Sequence, residues 1–478
     1  MIQPAVLVLA AASCVAGSQP TPPGQPAAAA AHLDWRRLEA PLLRRHVQVT
    51  SRERFVRAGE AYFSHDNPPT WIIFQAVPVP EAGKEPDPFY AMYIARLRRS
   101  AEGRVTGIEE PIRVSPPGSA NTCGWFDPVR PGRVIFGSTL VRPKDEQRSG
   151  FSVQGRRYVW MFPEEMEVVE CQTPAAAGGA LGAPAAVFSR QNYDAECSYS
   201  SDGRFILYAH VRDEPTRGRP DADIFVYDTR TGAHHPLVTA DGYDGGPFFS
   251  PDGRFICYRS DRKGDDLLQL FIAELLYNDE GVPVGVKREH QITDDSNVNW
   301  APYWHPSGRV LVYGTSAQGH QNYEVYAIQA DESVFDLPAS EVPRRRVTFA
   351  DGADVLPAFS DDGRLFMWTA QRGPLGEGEA RPSSQLWIAD CTPGGFDTPG
   401  ALFLGDRPDG LNMVDAEQIA RATMLERGEA WAERATFSSQ RLEDGAWYVR
   451  ARHPSRKKGE DRLITVGPDG EVTAYHAY

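Results

Sequence analysis

One phrase recurs through this chain and restricts its architecture more than any other feature. It reads YDGGPFFSPDGRFICYRS at residues 243–260, with close relatives YDAECSYSSDGRFILYA at 193–209, VNWAPYWHPSGRVLVYGTS at 298–316 and ADVLPAFSDDGRLFMWTA at 353–370. Two degenerate copies stand upstream, AGEAYFSHDNPPTWIIFQA at 58–76 and NTCGWFDPVRPGRVIFGST at 121–139. Each copy has a polar start, a few apolar or aromatic residues, a turn of the S-x-D-G-R type, and an apolar run that ends near an aromatic. Asp or Ser beside Gly fixes a tight turn through side chain-to-backbone hydrogen bonds and a tolerated positive φ, so two strands join in a hairpin. The runs after the turn, at 205–208, 255–258, 310–313 and 365–368, read as buried strands.

A third strand is expected in every unit: FYAMYIA at 89–95, RYVWMF at 157–162, DIFVYD at 223–228, QLFIAE at 269–274, YEVYAIQ at 323–329 and QLWIAD at 385–390. A short fourth strand follows at 112–115, 186–189, 236–239, 291–293 and 346–349. Its sixth copy is HVQVT at 46–50, ahead of the first unit, where it can complete the last one. Four-stranded units repeated at this spacing predict an all-β fold, a six-bladed β-propeller over 44–391 closed by an N-terminal strand.

The flanks differ in character. MIQPAVLVLAAASC is apolar and ends in small residues, so 1–16 reads as a secretory leader. Cys14 follows Ala-Ala-Ser in a resemblance to a lipoprotein box, and is the candidate lipidation site; membrane attachment is expected only there. Residues 17–43 begin with a Pro/Ala/Gln-rich run and read as a flexible tether, and 392–412 as a Pro/Gly-rich linker. A helix at 415–432 and strands at 435–442, 446–452, 462–466 and 471–475 make 413–478 a small α+β domain, similar in pattern to the peptidase-propeptide-like (PepSY) and cystatin-like domains.

A formal net charge of −14 argues against a broad nucleic-acid face. The six cysteines show no C-x-x-C spacing. Cys257 reads as core, whereas Cys123 and Cys171 are a candidate disulfide that would pin an insertion over the ring. Among eleven histidines, His65, His234, His235 and His305 fall at turns, and none is spaced like a metal ligand. With no nucleotide fingerprint either, no cofactor is expected.

Aligning the units on Phe63, Phe126, Tyr199, Phe249, Trp304 and Phe359 exposes a second regularity. Five residues earlier stand Asn121, Asp194, Asp244, Asn299 and Asp354, with Ala58 in the first unit; three residues earlier, Glu60 and Glu196 add carboxylates. Two readings apply. The set can ring the channel mouth and bind a cation, an amine or a basic peptide, or it can accept backbone hydrogen bonds and stitch neighbouring units together.

The phrase F-S-P-D-G-R before an apolar strand, best matched at 249–254, 199–204, 359–364 and 304–309, resembles the WD40-like (PD40) repeat of the TolB family. That resemblance implies a periplasmic or cell-envelope six-bladed propeller that binds a protein or peptide partner through its ring without catalysis. The family places its extra domain ahead of the ring, whereas here it follows. Related propellers include lyases, so the alternative is a carbohydrate-active or lyase-type enzyme using channel-mouth carboxylates and a divalent metal.

Overall fold

The computed structural model describes residues 35–145, 150–154, 157–161, 163–175, 179–212, 220–265, 267–376, 378–397, 402, 413–442, 446–455, 459–467 and 472–478. The expected leader at 1–16 with Cys14, and most of the linker at 392–412, lie outside them. Among the described residues no helix is long and apolar enough to cross a membrane.

The fold is all-β in its main part, an arrangement of antiparallel four-stranded sheets consistent with a propeller. Five sheets follow chain order from an innermost strand outward. Their innermost strands are Phe55–Phe63, Asn121–Phe126, Asp194–Tyr199, Asp244–Phe249 and Asn299–Trp304. The sixth runs Asp354–Phe359, Leu365–Ala370, Gln385–Cys391 and then returns to the start of the chain, where Leu43–Gln48 pairs antiparallel with Gln385–Cys391. Each innermost strand neighbours the next in chain order, and Asp354–Phe359 neighbours Phe55–Phe63. The alternation of buried residues supplies the packing: Ile72, Phe74, Ala76, Met367, Leu386 and Ile388 share one cluster between the first and sixth sheets.

Several expected strands move. In the second sheet the third strand is Glu167–Gln172, whereas Arg157–Met161 pairs with Gly150–Gln154 in a separate hairpin. The aromatic run at 157–162 has the stronger strand signature, but Val168 and Val169 are the residues that become fully buried. Their flanking Glu167 and Glu170 mask them in sequence, and these glutamates find Ser189 and Arg133 at the sheet surface. The fourth sheet ends in Pro283–Gln291 rather than at 291–293, because its polar VKREH stretch forms an exposed outer edge.

The expected tether at 17–43 also needs correction at its end. Trp35–Glu39 is a helix, and Glu39 is buried. Its carboxylate receives the Arg372 guanidinium at 2.6 and 2.9 Å and the Phe349 N–H at 2.8 Å, and lies 2.8 Å from His46 Nε2. Arg372 also bonds Asp354 at 2.5 Å and lies over the rings of Trp35 and Trp368. One buried guanidinium thus ties the N-terminal helix to the sixth sheet.

The C-terminal part is the helix Met413–Glu426 against a four-stranded antiparallel sheet, Thr436–Arg441, Trp447–Arg452, Arg462–Val466 and Val472–Ala477, in chain order. Ala416, Ala420 and Met424, spaced at helical repeats of four, lie on one face and pack on Phe437, Val449 and Ile464. Phe349 and the N-terminal Trp35 and Leu38 join that core, and Gln318 Nε2 donates to the Phe437 carbonyl at 2.7 Å.

Arg372→Met would leave two buried carboxylates without their shared cation. The expected loss is about 3–5 kcal/mol of unfolding free energy, with earlier proteolysis of the N-terminal helix; urea denaturation at neutral pH and limited proteolysis check both.

Candidate functional site

The first polar ring stands at the first residue of five innermost strands, and its side chains are bonded within the protein. Asn121 Nδ2 donates to the Tyr90 and Ser119 carbonyls at 2.8 and 2.9 Å. Asp194 Oδ1 lies 2.8 Å from His210 Nδ1. Asp244 accepts from Arg262 at 3.0 Å and from the Ala240 N–H at 3.2 Å. Asn299 Nδ2 donates to Gln269 Oε1 and to Asp295 Oδ1, and Asp354 accepts from Arg372 and from Trp368 Nε1. All five residues are buried. Asn121, Asp244 and Asn299 reach the preceding unit, which fits stitching, whereas Asp194 and Asp354 bond within their own; among the described residues Asp194 Oδ2 and Asn299 Oδ1 have no hydrogen-bond partner.

The second ring is a backbone feature. Each innermost strand carries a β-bulge at the same place (Phe55–Phe63 has a second irregularity near its start), and in each the third residue before the aligned aromatic has positive φ: Glu60, Cys123, Glu196, Gly246, Ala301 and Leu356, between 39° and 59°. Only one of these is glycine, so five L-residues hold a costly conformation. A bulge re-aims the residue it displaces, and all six of these residues line one concavity, small where enclosed and otherwise open to solvent, together with Tyr62, Cys197, Phe248, Arg259, Pro302, Tyr303 and Pro357. Every sheet contributes to this cup.

Two residues beyond each bulge stand Tyr62, Trp125, Ser198, Phe248, Tyr303 and Ala358. The four aromatics meet: Tyr62 stacks on Tyr303 at 5.8 Å between centroids, and Trp125 lies 5.4 Å from Phe248. Rings from the first, second, fourth and fifth sheets therefore fill the space between those sheets.

Glu196 is the most heavily bonded group of the cup. It accepts from the Gly246 N–H at 2.6 Å, the Tyr243 hydroxyl at 2.7 Å, Arg259 Nη2 at 3.0 Å and the Tyr193 hydroxyl at 3.3 Å. The Gly245–Gly246 pair makes room for this. A Cβ on Gly246 would meet Arg259 Nη1 at 2.1 Å, and one on Gly245 would meet the Tyr243 oxygen at 2.3 Å. Burial works against the charge of Arg259, but Tyr243, Glu196, Cys123 and Glu60 hold its guanidinium above the usual range.

Glu60 differs. It accepts from Cys123 Sγ at 2.9 Å, the Tyr62 hydroxyl at 3.2 Å and the Thr122 hydroxyl at 3.4 Å, all neutral donors. Burial raises its carboxyl above the ordinary value, against the pull of the Cys123 hydrogen bond and of Arg259. Burial and the two nearby carboxylates push the Cys123 thiol well up, so it is a donor here and not a nucleophile.

Cys123 and Cys171 are both free. The expected disulfide between them does not form, because they sit on the first and third strands of the second sheet with Arg133–Ser138 between them. Cys171 bonds the Gly182 carbonyl instead. His65 and His305 do occupy hairpin turns, yet His305 is buried, and burial lowers it to about 4. Among the described residues no group of three or more His, Cys, Asp or Glu is placed to hold a metal ion.

Tyr243, Arg259 and the aromatic cluster were not singled out from sequence. The adjacent glycines of YDGGP were the available signal for the first two, and the residue before each aligned aromatic for the third.

No family model matches the chain, and no curated protein matches it. Among solved structures it is similar to a TolB of Agrobacterium tumefaciens, described there as putative, at 15% identity and TM-score 0.41, over 73% of this chain and 97% of that one. It is similar to TolB from Acinetobacter baumannii at 13% identity and TM-score 0.38, over 63% of this chain and 60% of that one. An oligogalacturonate lyase from Vibrio parahaemolyticus stands at 11% and 0.38, over 72% and 92%. At these scores the likeness decides no activity, and the architecture rests on the strand pairing above.

Gly246→Ala is expected to displace Arg259 from Glu196 and to cost about 1–3 kcal/mol, the scale of a strained backbone position; denaturant unfolding reads it. Burial pushes Asp244 up to about 7, against the pull of Arg262. Its ordinary value is about 3.9, so its contribution to stability is full below that and is lost as pH rises through about 7. Asp244→Asn breaks the Arg262 pair and lowers the melting temperature, and its deficit against the native protein shrinks from about pH 4 to about pH 8. Melting curves across that range check the sign.

Proposed function

We propose that the six sheets are the blades of a closed six-bladed propeller, with Leu43–Gln48 as the outer strand of the last blade, and that the chain is an exported, non-enzymatic module that binds a protein or peptide partner in the cell envelope at the axial cup. The observation that carries this reading is the cup itself: a single concavity lined from every sheet, built on strained bulges, with an aromatic base. Strain of this kind is retained where the surrounding structure needs a side chain aimed at one point. The partly buried Leu356 and Tyr303, beside the buried Pro357, offer an apolar entry. Of the two cup carboxylates, Glu196 is consumed by the protein's own donors, which supports a binding role over a paired acid–base role.

A photo-crosslinking residue at Leu356, compared with one at the exposed Leu375, tests this in whole envelopes. Capture of a discrete envelope protein from position 356 and not from 375 is expected. No adduct at 356, or the same adducts from both positions, would remove the cup as the binding site.

A further inference from the structure

We propose that the cup receives a primary ammonium group on an unbranched apolar stem, held against the carboxylate of Glu60. This rests on the cup being the docking point and names the chemical group that enters it.

The argument begins with charge. Within the cup, Glu196 and Arg259 form an ion pair at 3.0 Å and cancel. Glu60 is nine-tenths buried, lines the same cavity, and among the described residues has no basic group within ion-pair distance. The first-ring carboxylates Asp194, Asp244 and Asp354 each have a His or Arg partner. Glu60 is hydrogen-bonded only by a thiol and two hydroxyls, and Arg259 acts on it from beyond ion-pair distance, so one monovalent cation can still be placed against it.

Shape narrows the cation. The enclosed space of the cup as a whole admits a group no larger than about one water molecule, and the rest of its volume is open to solvent. A compact ammonium meets that limit, whereas a planar guanidinium with its five-donor fork is too wide. The remaining walls suit the rest of such a ligand. Ala301, Pro302, Leu356 and Pro357 give an apolar side for a methylene stem that runs toward the open part of the cup.

The groups that face Glu60 come from several elements: Tyr62 on its own strand, Thr122 and Cys123 from the second sheet, Glu196 from the third and Arg259 from the fourth. Thr369 of the sixth sheet fixes its backbone by accepting the Glu60 N–H at 3.1 Å. An ammonium pairs only with ionised Glu60. Burial and Glu196 both favour the protonated acid, so affinity falls as pH is lowered through the titration of Glu60.

Isothermal titration of the full chain with n-butylamine, Nα-acetyl-lysine amide, glycylglycine amide, Nα-acetyl-arginine amide and 1-butanol tests this. At about pH 8 the ammonium probes are expected to bind about tenfold or more tightly than the alcohol or the arginine probe, the scale of one charge pair. Tighter binding of the lysine probe assigns a side chain as the source, of the glycylglycine probe a chain terminus, and of butylamine a free amine. Glu60→Gln is expected to weaken the ammonium probes about tenfold and to abolish the fall in affinity as pH is lowered. Leu356→Trp, which narrows the apolar wall and leaves Glu60 in place, gives a second reading if Glu60→Gln does not fold; it is expected to exclude the same probes. Equal binding of alcohol and amine, or unchanged binding by these variants, overturns the ammonium site. If the crosslinked partner is still captured from position 356 in that case, the docking reading stands without it.

Discussion

The cup exists because each innermost strand carries an extra residue at the same place. The extra residue breaks the ladder, takes a left-handed backbone and turns its side chain toward the space between the sheets. Without that kink, strict alternation would direct these positions into the packing between neighbouring sheets. The cost recurs in every unit, and five of the six residues bearing it have a Cβ. Such an expense persists only where packing around it leaves no alternative. Here the hydrogen-bonded Asn and Asp residues just ahead of the bulges clamp the start of five strands, and the aromatic cluster holds four of them on the far side.

Charge is distributed by the same logic. The starts of the innermost strands hold acids paired with His210, Arg262 and Arg372, which are structural bonds with high penalties for removal. In the cup, Glu196 is similarly consumed, and it orders Arg259 and Tyr243 around the glycine pair. Glu60 occupies the equivalent bulge of the first sheet, yet no arginine reaches it at ion-pair distance. Two chemically identical side chains at equivalent positions therefore have different work: one completes the scaffold and the other faces the cavity with capacity to spare.

Much of the architecture was legible because hairpin chemistry is local. The S-x-D-G-R turns bond within themselves, as Ser250 with Asp252 and Ser360 with Asp362 do, so they announce themselves in any context. The returning first strand was legible for a different reason, the absence of a sixth outer strand at the expected place. Long-range facts left weaker traces. Nothing local in Glu60, Cys123, Ala301 or Leu356 signals a positive φ, since only Gly246 among the six advertises one. The third strand of the second sheet was hidden by its two glutamates, and the supposed cysteine pair ignored the strand that separates them. The tether was misjudged at its end because the partner of Glu39 lies 333 residues away.

That last separation has a consequence for how the molecule is made. Arg45 and Asp390, paired across the final sheet, are 345 residues apart. The segment synthesised early therefore waits, unpaired, until nearly the whole chain has emerged. The sixth sheet cannot be completed on the ribosome before Gln385–Cys391 has been made, because its fourth strand is Leu43–Gln48. Contacts of such high sequence separation form slowly.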